Sequence, residues 1–212
     1  MSFLSYIFPQ KLVSIPSNFN GNIDVVESFG KKYIEVGGLM QSGNFVEKIF
    51  RKGLQKLKLD KENLSHILII GVGGGSFVRV CQNLFPKARI VGVEIDPKMV
   101  ELGEKFLHFH PEHATQIIIA DIFQRPLDKT QIFDLIFVDI YQGYAIPREA
   151  EDAKFLKYLA SKTKKNGVLI FNRLYFQKYI SEANYFLDKL QGIFQDVKSV
   201  KVYSNLLIVV KL

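Results

Sequence analysis

The chain has 212 residues, of which 48% are hydrophobic and 23% charged, so it predicts one substantial hydrophobic core and excludes extensive disorder. Its longest apolar runs fall far short of the roughly 20 residues that a membrane-spanning helix needs, so no membrane span is expected. The net charge is +7, but the lysines and arginines are scattered, and nucleic acid is therefore not expected as a partner.

The N-terminal residues, the cysteine and the histidines bear on targeting, disulfide bonds and metal binding. Residues 1–9 are largely apolar without the basic start of a signal peptide, and they predict a packed strand or arm, with a membrane-surface or partner contact as the alternative. A single cysteine, Cys81, excludes an intramolecular disulfide and suits a reducing cytoplasm. Histidines and cysteine do not have zinc spacing, so no metal is predicted.

Residues 1–60 have a different pattern from residues 61–212, and we treat them as an N-terminal unit and a second, larger unit. Residues 23–29 and 33–36 alternate between apolar and polar side chains around Gly30, which predicts a β-hairpin that ends at Gly37-Gly38. Residues 45–59 have apolar side chains at helical spacing with lysines opposite, which predicts an amphipathic helix.

From residue 65 onward, short apolar runs alternate with helical segments. The predicted strands are residues 66–70, 89–95, 116–120, 133–140 and 167–172. The predicted helices are residues 77–85, 97–109, 148–163 and 176–190. Such alternation predicts a mostly parallel sheet covered by helices on both faces. The chain then ends in an antiparallel hairpin around Ser204-Asn205, so the expected fold is a Rossmann-like class I methyltransferase fold with a seven-stranded sheet and an antiparallel C-terminal strand.

A glycine-rich turn, Gly71-Val72-Gly73-Gly74-Gly75, follows the first predicted strand and leads into a helix. Glycines allow a tight turn and let a ligand lie against bare backbone, and the helix N-terminus offers unpaired N–H groups. This arrangement is typical of nucleotide binding. A tight turn without any ligand is the alternative when the motif is taken alone.

Acidic residues stand at the ends of the next two predicted strands. Glu94 comes 23 residues after Gly71, where a carboxylate can accept hydrogen bonds from both ribose hydroxyls. Asp96 precedes Pro97, and this pair is typical of the beginning of a helix. Asp121 is placed to accept from an adenine amino group, with a second capping role as the equal alternative.

The fourth predicted strand ends at Asp139, at the edge of the sheet where open α/β folds bind ligands. The loop after it contains Tyr141, Gln142, Tyr144 and a glycine and a proline, so it is expected to form a lid or a substrate wall. Packing without a substrate role is the alternative for the two tyrosines.

Together, these segments resemble the spermidine synthase family of class I enzymes that use a sulfonium cofactor. The resemblance covers about residues 24–172, and the segment Leu39-Met40-Gln41-Ser42-Gly43 is similar to a family segment whose glutamine contacts the cofactor. It implies S-adenosylmethionine or decarboxylated S-adenosylmethionine as the cofactor, a small-molecule acceptor such as an amine, and a homodimer. The implied cofactor-binding residues are Gln41, Gly71, Gly73, Gly75, Glu94, Asp121 and Asp139.

Two departures from the family pattern bear on the reaction. Gly74 stands where aminopropyltransferases usually have an aspartate, and Gln142 stands where their catalytic loop has a second aspartate. An amide cannot take a proton and holds no charge for an ammonium substrate. With Asp139, Tyr141 and Gln142 as candidate catalytic residues, we therefore expect methyl transfer to an unidentified small acceptor.

Three other functions are weighed against methyl transfer. Aminopropyl transfer to putrescine would leave Asp139 alone to anchor the amine. A non-catalytic cofactor-binding or scaffold protein would keep the fold without the reaction. A nicotinamide dehydrogenase is disfavoured because Ser76 stands at its third glycine position and because such enzymes do not usually end in an antiparallel hairpin.

Overall fold

The structure, a computed structural model, describes residues 3–59, 64–112 and 114–212. An N-terminal antiparallel sheet of four strands in sequential order comes first. Its strands are β1 (Gln10–Ser17), β2 (Gly21–Ser28), β3 (Lys31–Val36) and β4 (Leu39–Gly43). The predicted hairpin corresponds to β2 and β3 and is confirmed, but the sheet extends beyond it by one strand on each side.

The segment before β1 differs from the packed strand that the sequence predicts. Phe3–Tyr6 form a short 3-10 helix, and Ile7 and Phe8 after it are 55% and 66% exposed. Residues 1 and 2 lie outside the described residues. Of the packed strand or arm that the sequence predicts, the strand is therefore not found in the part of this segment that the structure describes, since the first strand begins only at Gln10, and the arm stays a prediction.

The second sheet has seven strands in the order β10-β11-β9-β8-β5-β6-β7. The strands are β5 (His66–Ile70), β6 (Arg89–Glu94), β7 (Thr115–Ile119), β8 (Phe133–Val138), β9 (Thr163–Leu174), β10 (Asp196–Val202) and β11 (Asn205–Lys211). Strands β5 to β9 are parallel, and β11 runs antiparallel between β9 and β10. This confirms the expected mostly parallel sheet with its antiparallel C-terminal strand.

Five α-helices accompany the strands in the described part of the chain. They are α1 (Asn44–Leu57), α2 (Ser76–Leu84), α3 (Pro97–Leu107), α4 (Ala153–Lys162) and α5 (Tyr179–Ile193). The helix predicted over residues 148–163 is divided, because Asp152 has extended backbone between a 3-10 helix at Arg148–Glu151 and α4. Among the residues that the structure describes, no helix is long and apolar enough to cross a membrane.

Three apolar clusters hold these layers together. Helices α1 and α2 bury their apolar faces on one side of the large sheet, and α4 and α5 cover the other side. The N-terminal sheet packs on α3, where Ile23, Val25 and Ile34 meet Met99 and Leu102. The boundary predicted between residues 60 and 61 lies outside the described residues, although α1 before it belongs to the core of the large sheet.

Candidate active site

A cavity of about 350 Å³ opens at the carboxyl ends of β5, β6, β7 and β8, where parallel strands present their last side chains. It also reaches β4 and the loop after β8. Eight of the nine residues predicted to bind the cofactor or act in catalysis line this cavity: Gln41, Gly71, Gly73, Glu94, Asp121, Asp139, Tyr141 and Gln142. The ninth, Gly75, is not among the lining residues. The chain thus brings nearly all the predicted site residues to one place.

The glycine turn is pressed against the strand beside it. At Gly71, which has a φ of +88°, a Cβ atom would lie 2.1 Å from the backbone oxygen of Asp139. The N–H of Gly73 donates to Oε2 of Glu94 over 2.7 Å, and the N–H of Gly74 donates to Oγ of Ser42 over 2.8 Å. The turn is therefore fixed by a carboxylate from β6 and a hydroxyl from β4.

Gly75 serves the packing behind the turn. It directly precedes α2 with a φ of +86°, and a Cβ atom there would lie 2.2 Å from the buried ring of Phe109. A side chain at this position would push the ring away and displace the start of the helix. The structure thus gives Gly75 a packing reason, while its predicted cofactor contact stays a prediction.

Glu94 lies at the last position of β6 and is almost fully buried. Besides the contact with Gly73, its Oε1 accepts from the N–H of Asp96 over 3.0 Å. Burial raises the pKa of Glu94, and the negative charge of nearby Asp96 acts in the same direction, while the backbone N–H groups of Gly73, Ile95 and Asp96 oppose them. The carboxylate is held rigidly at the wall of the cavity.

The two aspartates that follow β6 and β7 both accept hydrogen bonds from the backbone, but only Asp96 caps a helix. Asp96 accepts from the N–H of Lys98 over 3.0 Å, which confirms its predicted role at the start of α3, and it also accepts from Asn20 Nδ2 over 2.7 Å. Asp121 accepts from the N–H of Phe123 over 2.9 Å and still lines the cavity. This contact closes a local turn, and no helix begins there, so the predicted cap is not found and the adenine contact stays a prediction.

Asp139 follows β8 directly and separates the main cavity from a smaller one. Its Oδ1 accepts from Nδ2 of Asn172 over 2.8 Å. Burial raises the pKa of Asp139 to about 7, with a smaller contribution from the negative charge of Glu94, while Asn172 and Arg173 act against the shift. A carboxyl group that titrates near neutrality can accept and release a proton under ordinary conditions.

The loop after Asp139 is tied down at several points. The Tyr141 hydroxyl accepts from the N–H of Leu174 over 2.9 Å and lies 3.4 Å from the carbonyl oxygen of Asn172. Nε2 of Gln41 donates to the carbonyl oxygen of Gly143 over 3.0 Å. The backbones of Gln142 and Ala145 bridge each other, and the Gln142 side chain is exposed. The loop is therefore a fixed wall of the cavity, and Gln41 supports it.

Tyr144 lies apart from the residues of the main cavity. Its ring stacks on that of Tyr179 with centroids 5.8 Å apart, and both line a separate cavity beside Arg173. Of the two alternatives raised for this tyrosine, packing is the one that the structure describes.

A side pocket of about 100 Å³ lies next to the main cavity and shares Gln41, Phe50, Asp139 and Tyr141 with it. Most of its wall is apolar and comes from β4, α1, the end of β9 and the segment after it: Leu39, Met40, Phe45, Val46, Ile49, Phe50, Leu174 and Phe176. Its other polar groups are Asn172, Ser204 and Asn205. Asp139 contributes the only carboxylate among these lining residues.

Sequence reasoning missed the residues that support the acidic groups. Asn172 ends an apolar run in β9, and a polar side chain at the end of a buried strand is a signal for a site residue. Asn20 and Asn205 lie in or beside turns, where asparagine is ordinary, so their positions predict turns and not site residues. Their roles depend on contacts between distant segments.

The shifted pKa of Asp139 predicts a pH-dependent stability difference that Asp139→Asn removes. The folded protein holds the Asp139 proton up to about pH 7, whereas the unfolded chain releases it near the ordinary pKa of 3.8. The free energy of unfolding of the wild type therefore falls as the pH rises between these two values. In urea unfolding, the free energy of unfolding of the variant relative to that of the wild type should be about 2 kcal/mol higher at pH 8 than at pH 5. An equal difference at both pH values would contradict the shift.

Comparison with known proteins places this geometry in a family context. The family model described as "Methyltransferase domain" matches residues 68–171, which run from β5 to β9. A polyamine aminopropyltransferase from Vibrio vulnificus is 34% identical over 109 residues, which cover 50% of this chain and 36% of that protein. The eEF1A lysine and N-terminal methyltransferase of Mus musculus is 32% identical over 116 residues, which cover 50% of this chain and 17% of that protein.

The solved structures agree on the fold. A crystal structure of spermidine synthase in complex with the transition-state analogue AdoDATO superposes with a TM-score of 0.73 at 16% identity, covering 95% of this chain and 72% of that one. The likeness includes the N-terminal sheet as well as the large sheet, since nearly the whole chain is covered. The chain spans about a third or less of the length of the two curated relatives above.

Proposed function

We propose that this chain, which is similar to polyamine aminopropyltransferases and methyltransferases and has the fold of spermidine synthase, is a transferase that uses an S-adenosyl sulfonium cofactor. The reaction we propose is methyl transfer to a small acceptor. The observation that carries the proposal is the single cavity in which the glycine turn, Glu94, Asp121 and Asp139 meet beside a second, mainly apolar pocket.

The residues of the main cavity fit an adenosyl group with a positive sulfonium. Glu94 would accept from the ribose hydroxyls and Asp121 from the adenine amino group, since carboxylates are acceptors only. The lining residues in the described part of the chain include Glu94, Asp121, Asp139 and Glu149 and no basic side chain. Such a surface favours a cation.

The bound cofactor would supply a methyl group on a positive sulfur, which leaves as a neutral sulfide when the acceptor atom forms its bond to the methyl carbon. The task of the protein is to orient the acceptor and to take its proton. Asp139 lies where the main cavity meets the side pocket, so its carboxylate would accept that proton. Fixed orientation supplies most of the remaining rate enhancement.

Two observations support a methyl rather than an aminopropyl product. The Gln142 side chain is an exposed amide, so it offers no second carboxylate for an ammonium group. The side pocket is mainly apolar and has the single carboxylate of Asp139, so the far ammonium of a diamine would find no acid partner there. The pocket suits an acceptor with an apolar body and one polar, nucleophilic end.

Aminopropyl transfer remains the second candidate, and the acidic lining of the main cavity favours it. Decarboxylated S-adenosylmethionine lacks a carboxylate and so carries one more net positive charge than S-adenosylmethionine, which a cavity of carboxylates attracts more strongly. A bacterial aminopropyltransferase among the relatives supports the same candidate.

The test is a pair of turnover assays on the full chain. With S-adenosylmethionine and a panel of small apolar acceptors that carry one hydroxyl, thiol or amine, the proposal predicts acceptor-dependent formation of S-adenosylhomocysteine. With decarboxylated S-adenosylmethionine and putrescine, methylthioadenosine should stay at background. If methylthioadenosine is the only product released, the proposal of methyl transfer is wrong and aminopropyl transfer is the reaction. Binding without either product would favour a non-catalytic role.

A further inference from the structure

A row of polar side chains begins at Asp139 and crosses the large sheet away from the main cavity. Asn172 lies on β9, which pairs with β8, and Asn205 begins β11, which pairs with β9. Asp139, which directly follows β8, and the two asparagines each lie two residues along the chain from a buried core residue, so all three face α1 and α2 as the two-residue period of a strand requires. These core residues are Phe137, Ile170 and Leu207.

The hydrogen bonds in this row all run in one direction. Ser204 Oγ donates to Asn205 Oδ1 over 3.1 Å, and Asn205 Nδ2 donates to Asn172 Oδ1 over 2.8 Å. Asn172 Nδ2 then donates to Asp139 Oδ1 over 2.8 Å. Every donor therefore points toward the carboxylate.

The carboxylate itself determines this direction. An ionised carboxylate only accepts, so Asn172 must turn its NH₂ group toward Asp139, and its oxygen then faces Asn205. That oxygen needs a donor because Asn172 is only 6% exposed, and Asn205, 7% exposed, supplies it. Since hydrogen bonds in a chain polarise one another in a buried setting, each link strengthens the next.

We infer that Ser204, Asn205 and Asn172 form a relay of hydrogen bonds that fixes the orientation of the Asp139 carboxylate and presents its Oδ2 to the acceptor. The three are positioning residues, since they act through Asp139. The inference rests on the proposed function for the role of Asp139, but the relay is a property of the free protein and can be measured without turnover.

The charged groups around Asp139 and the Asn172 donor determine the direction in which the relay shifts the pKa of Asp139. Glu94 on β6 favours the protonated form of Asp139, whereas Arg173 on β9 favours the ionised form. The Asn172 donor also favours the ionised form, because it binds the negative oxygen more strongly than the neutral one. Removing the donor should therefore raise the pKa of Asp139 further.

The relay can be tested by carbon NMR on the free protein with ¹³C-labelled aspartate carboxyl groups. Asp139→Asn identifies the signal of Asp139 by its disappearance. In the wild type this signal should titrate with a midpoint near 7. In Asn172→Ala the midpoint should move up by about one pH unit, and in Asn205→Ala by less, because the Asn172 amide remains but is no longer held.

A matched control separates the relay from general destabilisation. Thr163→Val removes a buried hydroxyl that donates to the carbonyl oxygen of Leu159, at the end of β9 opposite to Asn172, and it should leave the midpoint unchanged. Unchanged midpoints in both asparagine variants would overturn the inference. If Asn172→Ala does not fold, Asn205→Ala alone decides. A shifted midpoint in a protein that never shows turnover would uphold the relay and leave only the proposed function refuted.

Discussion

Replacing Asp139 by asparagine is expected to lower the turnover number by about 10²- to 10⁴-fold, the usual contribution of a positioned general base. Asparagine keeps the shape of the side chain and an oxygen that can accept from Asn172, but its amide cannot take the proton of the acceptor. The change should affect turnover far more than the dissociation constant of S-adenosylhomocysteine. Steady-state kinetics and calorimetry on the same sample measure the two effects.

Asp134→Asn is the matched control for this prediction. Asp134 lies on the same strand, β8, near its other end, where it accepts from the backbone of Ser65 and His66 outside the main cavity. Its replacement should leave the turnover of the folded protein close to that of the wild type. If Asp139→Asn retained turnover within about threefold of the wild type, positioning alone would account for the reaction and Asp139 would not be the base.

The second large effect is expected at Gly71, where alanine should lower the free energy of unfolding by about 3–5 kcal/mol. The added Cβ would lie 2.1 Å from the backbone oxygen of Asp139, and a backbone atom cannot move aside as a flexible side chain can. The backbone of Gly71 also has a φ of +88°, which costs an alanine roughly 1–2 kcal/mol by itself. Cofactor binding should be lost with the turn.

Gly38→Ala separates the collision from the backbone conformation. Gly38 has a φ of +82°, close to that of Gly71, but a Cβ atom there would meet nothing within 4 Å. Urea unfolding should therefore show only the conformational cost, about 1–2 kcal/mol. Equal losses in the two variants would mean that the turn does not press against the end of β8.

The sequence predicts the residues at the carboxyl ends of the parallel strands well, because one rule of strand direction places them. Parallel strands end at the same side, so the acids that follow three apolar runs, Glu94, Asp121 and Asp139, must meet there. The alternation of apolar runs with helical segments likewise predicts the large sheet and its helices. Both arguments need only local patterns along the chain.

Features that depend on contacts between distant segments cannot be predicted from local sequence patterns. Strand β1 alternates weakly and contains Pro16, and its only partner in the sheet is β2, so its pairing is not visible in its own residues. The packing role of Gly75 depends on the ring of Phe109, and Asn205 reaches Asn172 only through the pairing of β11 with β9. Each requires the tertiary register to be known.

The central claim is that the cavity at the end of the large sheet binds an adenosyl sulfonium, and calorimetry on the folded chain of 212 residues tests it most directly. Titration with S-adenosylmethionine, its decarboxylated form and S-adenosylhomocysteine should show saturable binding of at least one of them, with one site per chain. Glu94→Gln, which keeps the shape of the side chain but removes its charge, should weaken that binding. Absence of binding for all three compounds, in a sample shown to be folded, would contradict the account.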